Sequence, residues 1–363
     1  MVVDELTFAG FAKIILLFVL LIAIFDYFCT LTIGAVEFYC YCYSIKIQLY
    51  FVIVNLLQCH TFYNTTSIFI MEGNMQNIFQ QNLSEEQTDG AVFVVQLLFK
   101  SPVTMPEKEK MEAVIQKHVG DTECVSYNES LASFPAKKYK AKFSDRTVPP
   151  MLNIMTGSFT GSAVDEFQKS QMWDCSEKER EKIFSECTHQ VIGTDMLAAV
   201  LPALQRAALD MDFLQALLEI FPECAAVYFR NSGKLFTAEK IRSHSYPHEE
   251  RFIYLAVNVR FFNIQGTHDI LVDTLGMGTL FLPDIQYHFH GIDPNKIVNH
   301  AYSTAVYILK NGNPIQSDDT IEGIIEGTAP PEKWKCRYED SLIQPLRAVI
   351  DIETGSHASG TRE

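Results

Sequence analysis

An α+β fold, with mixed and largely antiparallel sheet or sheets packed against amphipathic helices, follows from three features of the chain. Strand-like and helix-like stretches mix without the regular strand and helix alternation of a parallel sheet. No repeat in the range of roughly 20 to 50 residues marks a solenoid or a propeller. The stretch Asp269 to Gly312 carries a dense run of ordered signals: an apolar segment Ile270–Leu275, a Gly276-Met277-Gly278 break, a second segment Thr279–His290, and then a helix. Asp293 offers an N-cap oxygen to orphan N–H groups, Pro294 fits the first helical position, and Gly312 supplies the stop. Between them Ile297, Val298, Ala301, Tyr302, Ala305, Val306 and Leu309 share one face.

Four regions follow in order. Residues 1–70 hold two nearly continuous apolar stretches, Phe8 to Phe28 and Leu31 to Leu57, each long enough for a bilayer, which takes about 20 residues. A membrane hairpin is the expectation, opposed by Lys13, Asp26, Glu37 and Lys46 inside the spans. The alternative is a start at Met71 or Met75, where the text changes to that of an ordinary globular chain. Residues 71–90 are polar and read as a linker, residues 91–352 as the α+β body, and the polar tail 353–363 as mobile.

Within the body, Ala91–Phe99 reads as a buried strand between Gly90 and Ser101-Pro102. Glu107–His118 reads as a helix with Met111, Val114, Ile115 and His118 on one face, stopped at Gly120. Thr122–Ser126 and Leu131–Phe143 read as strands; Lys138, Lys140 and Lys142 share one face of the latter, in the manner of a lysine-protected edge. Pro149-Pro150 and Thr156–Gly161 mark a loop. Val164–Glu186 is helical text broken at Trp173-Asp174-Cys175, and Thr188–Thr194 is a short strand. From Leu197 the apolar positions Leu201, Leu204, Ala208, Met211, Leu214, Leu218 and Phe221 keep helical spacing until Pro222. Cys224–Phe229 is a strand, Asn231-Ser232-Gly233 a turn, and Thr237 the cap of a short helix. Arg251–Ile264 reads as a strand, and Lys333–Tyr338 with Arg347–Ile352 as the closing strands.

Charge and cysteine usage narrow the role. A net charge of −15 disfavours nucleic acid, whose phosphates need clustered Lys and Arg. Nine cysteines without a C-x-x-C pair fit reduced thiols better than disulfides or a zinc ribbon. The body is therefore expected on the cytoplasmic face of a membrane, or in the cytoplasm if the chain starts at Met71 or Met75. No Walker loop, no complete G-x-G-x-x-G and no G-x-S-x-G is written in the chain.

Candidate site residues gather where the second strand meets its helix. His288 and His290, two apart on a strand, point the same way, and Asp284 shares that face. With His300 they would make a four-ligand set for a divalent metal such as zinc. A binding corner of Tyr287, His288, His290, Asp293, Asn299 and His300 is the plainer expectation, since N–H groups at a helix start favour an anionic ligand. Cys175 is a candidate thiol only if a histidine lies beside it. Against both stands the ordinary alternative of rings and thiols packed as core groups.

The texts Tyr254–Phe262, Leu282–Gly291, Val298–Tyr302 and Ser317–Ile321 resemble the bacterial family known as domain of unknown function 4261, over roughly Ala91 to Ile352. The resemblance implies a bacterial α+β domain and carries no catalytic residue. A non-catalytic interaction or regulatory domain is the expected role, with another protein or a small anionic ligand as partner, no cofactor, and membrane contact through residues 8–57. A metal-dependent or thiol enzyme using His288, His290 and His300 is the alternative.

Overall fold

Pairing begins from β1 (Val94–Phe99), whose Val95, Leu97 and Leu98 are wholly buried, so neither face of the strand meets water. A strand of this kind belongs in the middle of a sheet with both faces covered. The computed structural model describes residues 66–67, 79–81, 84–324 and 330–360, all within the compact unit Asn64–Glu363. The elements following β1 are α1 (Lys108–Val119), β2 (Ser126–Tyr127), β3 (Leu131–Pro135), β4 (Met151–Ser158), α2 (Glu166–Ser170), α3 (Glu177–Glu186) and β5 (His189–Met196). Then come α4 (Ala203–Ile220), β6 (Ala226–Phe229), β7 (Lys234–Thr237), α5 (Ala238–Ser243) and α6 (Arg251–Ala256). The last are β8 (Asn258–Asn263), β9 (Ile270–Leu275), β10 (Asp284–Phe289), α7 (Pro294–Asn311), β11 (Thr320–Glu322), β12 (Lys333–Asp340) and β13 (Ala348–Glu353).

Seven described strands form sheet one in the order β7-β6-β1-β5-β4-β3-β2, every pair antiparallel. Six form sheet two in the order β8-β9-β10-β13-β12-β11, antiparallel except where β10 runs parallel to β13. The fold is α+β with largely antiparallel sheets, as expected. Helices lie between the sheets: α1 packs on α4, α4 on sheet one and on α6, and α6 and α4 on α7, which covers β9 and β10 of sheet two. One apolar core runs through all these layers, from Val95 and Phe134 through Phe213 and Leu217 to Ile297, Ile308 and Ile350.

Close packing of α4 on sheet one needs Gly193 in β5, since a Cβ there would lie 2.6 Å from a methyl of Leu217 and 3.1 Å from the ring of Phe213. After Ala203 at its start, the eighteen-residue α4 is buried except along one stripe, Leu204, Gln205, Ala208, Asp212, Gln215 and Glu219, at helical spacing. The ends of α7 are as the sequence implies: Asp293 accepts from Asn295 N, Pro294 opens the helix, and Gly312 adopts φ 68° beyond its end.

Some expectations need correction. Arg251–Ile264 is helix α6 followed by strand β8, because an apolar run buried on all sides does not distinguish the two by its pattern. Strand β3 stops at Pro135, which cannot donate to a ladder, and Ala136–Tyr139 turns instead. The second segment of the Asp269–Gly312 stretch starts as a 3-10 turn, Met277–Leu280, and becomes a strand only after Pro283. Strand β4 sits inside sheet one where the sequence reads as a loop, since Pro149-Pro150 and Gly157 mask the buried run of Leu152, Asn153 and Ile154.

At the edges, Gln87 N donates to Leu346 O and Gly90 N to Gly278 O. After β13 the chain turns through Gly355–His357 and runs beside β10, with Ala358 bridged to Phe289 and Ser359 N donating to His288 O. Among the described residues no helix is long and apolar enough to cross a membrane. The stretches Phe8–Phe28 and Leu31–Leu57 lie outside the described residues.

Candidate functional site

Alternation along β10 decides where the sequence-predicted corner goes. Successive side chains of a strand point to opposite faces. Ile285, Tyr287 and Phe289 therefore turn to the helix layer and are fully buried, while Asp284, Gln286 and His288 turn to the back of sheet two. Tyr287 and His300 do come together: the Tyr287 hydroxyl lies 2.7 Å from His300 Nδ1, and His300 Nε2 is 2.8 Å from Glu322 O. The ring of Trp334 lies 5.0 Å from that imidazole. Burial lowers the His300 pKa, partly offset by the Glu322 carbonyl, and burial pushes the Tyr287 phenol far up. This pair is a packed core contact.

His288 and His290 face a different set. His290 Nδ1 lies 2.9 Å from Ser359 Oγ, which donates to Asp269 Oδ1 at 2.9 Å, and His288 Nε2 lies 3.7 Å from Asp269 Oδ2. His357 Nδ1 is 3.2 Å from His290 O. These groups fasten the segment after β13 to the sheet. Asp293 caps α7, and Asn299 is exposed on the first turns of that helix. Asp284 goes elsewhere again, to the guanidinium of Arg347 at 3.1 Å and the hydroxyl of Thr274 at 2.8 Å. The structure therefore does not assemble Asp284, His288, His290 and His300 into one ligand set. Among the described residues no group of three or more His, Cys, Asp or Glu could hold a metal ion.

Cys175 is buried, its Sγ donating to Leu235 O at 3.5 Å, and burial raises its pKa to about 11. A thiol held protonated is a poor nucleophile. The other described cysteines, Cys124, Cys187, Cys224 and Cys336, are also buried free thiols with raised values.

Sequence reasoning missed the buried ions. Arg206 lies on the buried side of α4, its Nε donating to Asp195 Oδ2 at 2.6 Å and one Nη to Ala91 O at 2.7 Å. Its other Nη donates to Thr279 O, so one guanidinium ties β5, the entry to β1 and the turn before β10. Asp210, one turn along α4, is wholly buried; neither oxygen accepts a hydrogen bond, and its partner is the carboxylate of Asp195, to which a protonated Asp210 donates. Burial and the neighbouring Asp195 charge hold its pKa well above the usual carboxylate range.

A second network lies on the back of sheet two. Arg260 grips Asp273 through Nε at 2.8 Å and Nη2 at 2.5 Å, and Arg347 bridges Asp273 at 2.7 Å to Asp284 at 3.1 Å. A third buried cation, Lys234, donates to Tyr254 O, Val257 O and the Tyr302 hydroxyl at 2.7, 2.8 and 2.9 Å. Burial alone would lower its pKa, but Tyr302 and Asp174 outweigh that and raise it. Tyr246, Tyr254 and Tyr302 stack outward from it, with centroids 5.1 and 5.4 Å apart. Charged residues inside otherwise apolar runs, at Arg206, Asp210, Asp273 and Asp284, were the available signal.

Open ground lies along the solvent stripe of α4. A cleft of about 460 Å3 is lined by Leu204, Gln205, Ala208, Tyr139, Lys138 and Phe252, with His248 and Glu249 on its rim. A second, of about 480 Å3, has a floor of Met211, Leu214, Leu218 and Leu255, and walls that include Tyr246, Arg242 and His244. Asp212 separates them, paired with Arg251 at 2.7 Å and with His248 at 3.5 Å, which ties α4 to the segment running into α6. An apolar floor with a few polar groups at the rim is the general form of a ligand site.

No curated protein and no solved structure matches the chain. A family model does match, over a shorter stretch than Ala91–Ile352: residues 273–353, which hold the second half of β9 together with β10, α7, β11, β12 and β13, match the family described as Domain of unknown function (DUF4261).

Proposed function

We propose that this chain is a non-catalytic interaction or regulatory domain that binds its partner on the surface of the helix layer. One observation carries the reading. The ionisable groups best suited to chemistry are engaged inside the protein, Asp284 with Arg347, His300 with Tyr287 and Cys175 with a carbonyl, whereas the open clefts along α4 are floored by apolar side chains. A general base or nucleophile must reach a substrate, and these groups are spent on neighbours. The two apolar stretches within residues 8–57 serve as a membrane anchor in this reading, with the body on the reducing, cytoplasmic side, where its buried cysteines stay as thiols.

Elemental analysis of the purified full-length protein tests this proposal. The expected result is no stoichiometric transition metal. Zinc, iron or manganese present at one per chain, and lost on His288→Ala, would overturn it in favour of a metal enzyme.

A further inference from the structure

Positive charge gathers on one hairpin of an acidic protein. The ten residues Lys137–Arg146 hold five of the chain's 29 Lys and Arg and one of its 44 Asp and Glu, against a net charge of −15 for the whole. Their sequence pattern suggests a lysine-protected edge, but β3 has ended at Pro135 and the edge of sheet one on this side is β2. The cations lie instead on and before a separate two-stranded ribbon, Ala141–Lys142 against Thr147–Val148. Phe143 N donates to Arg146 O at its tip, and Ala136 N to Pro150 O at its base. Guarding the edge of sheet one does not account for them.

Burial sorts the hairpin into two sides. Tyr139 and Ala141 are buried, whereas Lys138, Lys140, Lys142 and Arg146 are exposed and form no ion pair among the described residues. Lys137 is paired, with Glu123 at 3.1 Å. Asp145 is the one carboxylate within the hairpin, and Glu249 shares with Lys138 the first cleft on α4. Lys140, Lys142 and Arg146 thus keep the outer end of the ribbon positive. Phe143 stands half-buried among them, so the tip carries an aromatic ring as well as charge.

Two observations select the partner. Four of the five cations are lysines, flexible point charges that suit anions in no fixed register, where arginine would fork onto a specific carboxylate. A cluster of about four to eight Lys and Arg is the general form of anionic-lipid recognition, and an aromatic ring beside it suits the headgroup boundary. The same chain carries the two apolar stretches Phe8–Phe28 and Leu31–Leu57. A body anchored by them meets the bilayer at high local concentration, so weak attraction per cation suffices. We infer that the hairpin Lys137–Val148 docks on the anionic headgroups of a bilayer. This rests on the reading of residues 8–57 as an anchor and adds the surface by which the body meets the membrane.

Lysine acetylation of the full-length protein, read residue by residue by mass spectrometry, tests this on nanodiscs of phosphatidylcholine alone and of phosphatidylcholine with phosphatidylserine. Lys140 and Lys142 should react roughly threefold or more slowly on the anionic discs only, and recover as salt screens the contact. Exposed Lys178 and Lys182 on α3 should not change. Lys142→Glu with Arg146→Glu should abolish the protection of Lys140; both residues are exposed, so an unchanged melting curve will show the fold intact. Equal reactivity on both discs, or protection that survives in the folded double variant, would overturn the assignment. Protection by a soluble Glu-rich peptide, with none on anionic discs, would overturn it in favour of an acidic protein partner. The anchor is read separately: release of the wild type from neutral discs at about 1 M salt, where screening acts within about 3 Å, removes the anchor but leaves low-salt protection as the measure of the hairpin.

Discussion

Two buried ionic networks differ in their arithmetic, and the difference separates a strained interior from a balanced one. Behind sheet two, the guanidinium groups of Arg260 and Arg347 face the two carboxylates of Asp273 and Asp284. Each charge has an opposite, and Thr274, Met277 N and the carbonyls of Gln344 and Pro345 take up remaining valences. In the helix layer Arg206 alone faces Asp195 and Asp210. Two carboxylates with one cation cannot both ionise cheaply out of water. The surplus one, Asp210, keeps its proton. Burial first, and then the neighbouring Asp195 charge, hold that proton in place.

Removing the lone cation should have the largest effect. Arg206→Met leaves Asp195 with the Phe93 N–H and the protonated Asp210 but no cation, frees the Ala91 and Thr279 carbonyls, and should cost about 3 to 5 kcal/mol, as breaking a buried pair does. Chemical denaturation would register this as a large fall in midpoint, up to failure to fold. Arg347→Met should cost less, about 3 kcal/mol or below, because Asp273 keeps Arg260 and Asp284 keeps its Thr274 hydroxyl and two backbone N–H groups. A larger loss from Arg347→Met than from Arg206→Met would reverse the ranking and with it the claim that balance governs the effect.

Sequence legibility also divides between the two regions. The Asp269–Gly312 stretch could be read nearly whole, because Asp293, Pro294 and Gly312 act locally, through their own backbone. Its function could not, because the corner it forms is sorted by the pleat: Tyr287 and His288 are neighbours in the chain and lie on opposite faces of a sheet. The placement of Ser359 beside His290 required the chain to return across 69 residues, which no local pattern encodes. In the helix layer the long apolar spacing of α4 was plain, but its most useful message lay in the exceptions. Arg206 and Asp210, one turn apart and both on the covered side, announce a buried network. The first cleft was hidden for the opposite reason: Leu204 and Ala208 follow the helical apolar spacing yet lie on the solvent stripe, and only the approach of Lys138, Tyr139 and Phe252 shows that they line a cleft.

The smallest expected effect gives the most direct test of the claim that the interior's charges hold the fold and that burial beside Asp195 keeps Asp210 protonated. In the folded state Asp210 holds a proton that the unfolded chain releases near the ordinary value of about 3.9, so folding takes up a proton above that pH. That contribution to stability is lost as pH rises from the unfolded value toward the raised folded one. Asp210→Asn removes the titration while keeping a neutral group of the same shape. Thermal melts of the wild type and Asp210→Asn at a series of pH values from about 5 to 8 should show the variant gaining on the wild type as pH rises, by roughly 2 to 4 °C for each kcal/mol. A variant less stable at every pH, by a constant margin, would mean that Asp210 is ionised and paired in the folded protein, and would contradict the account.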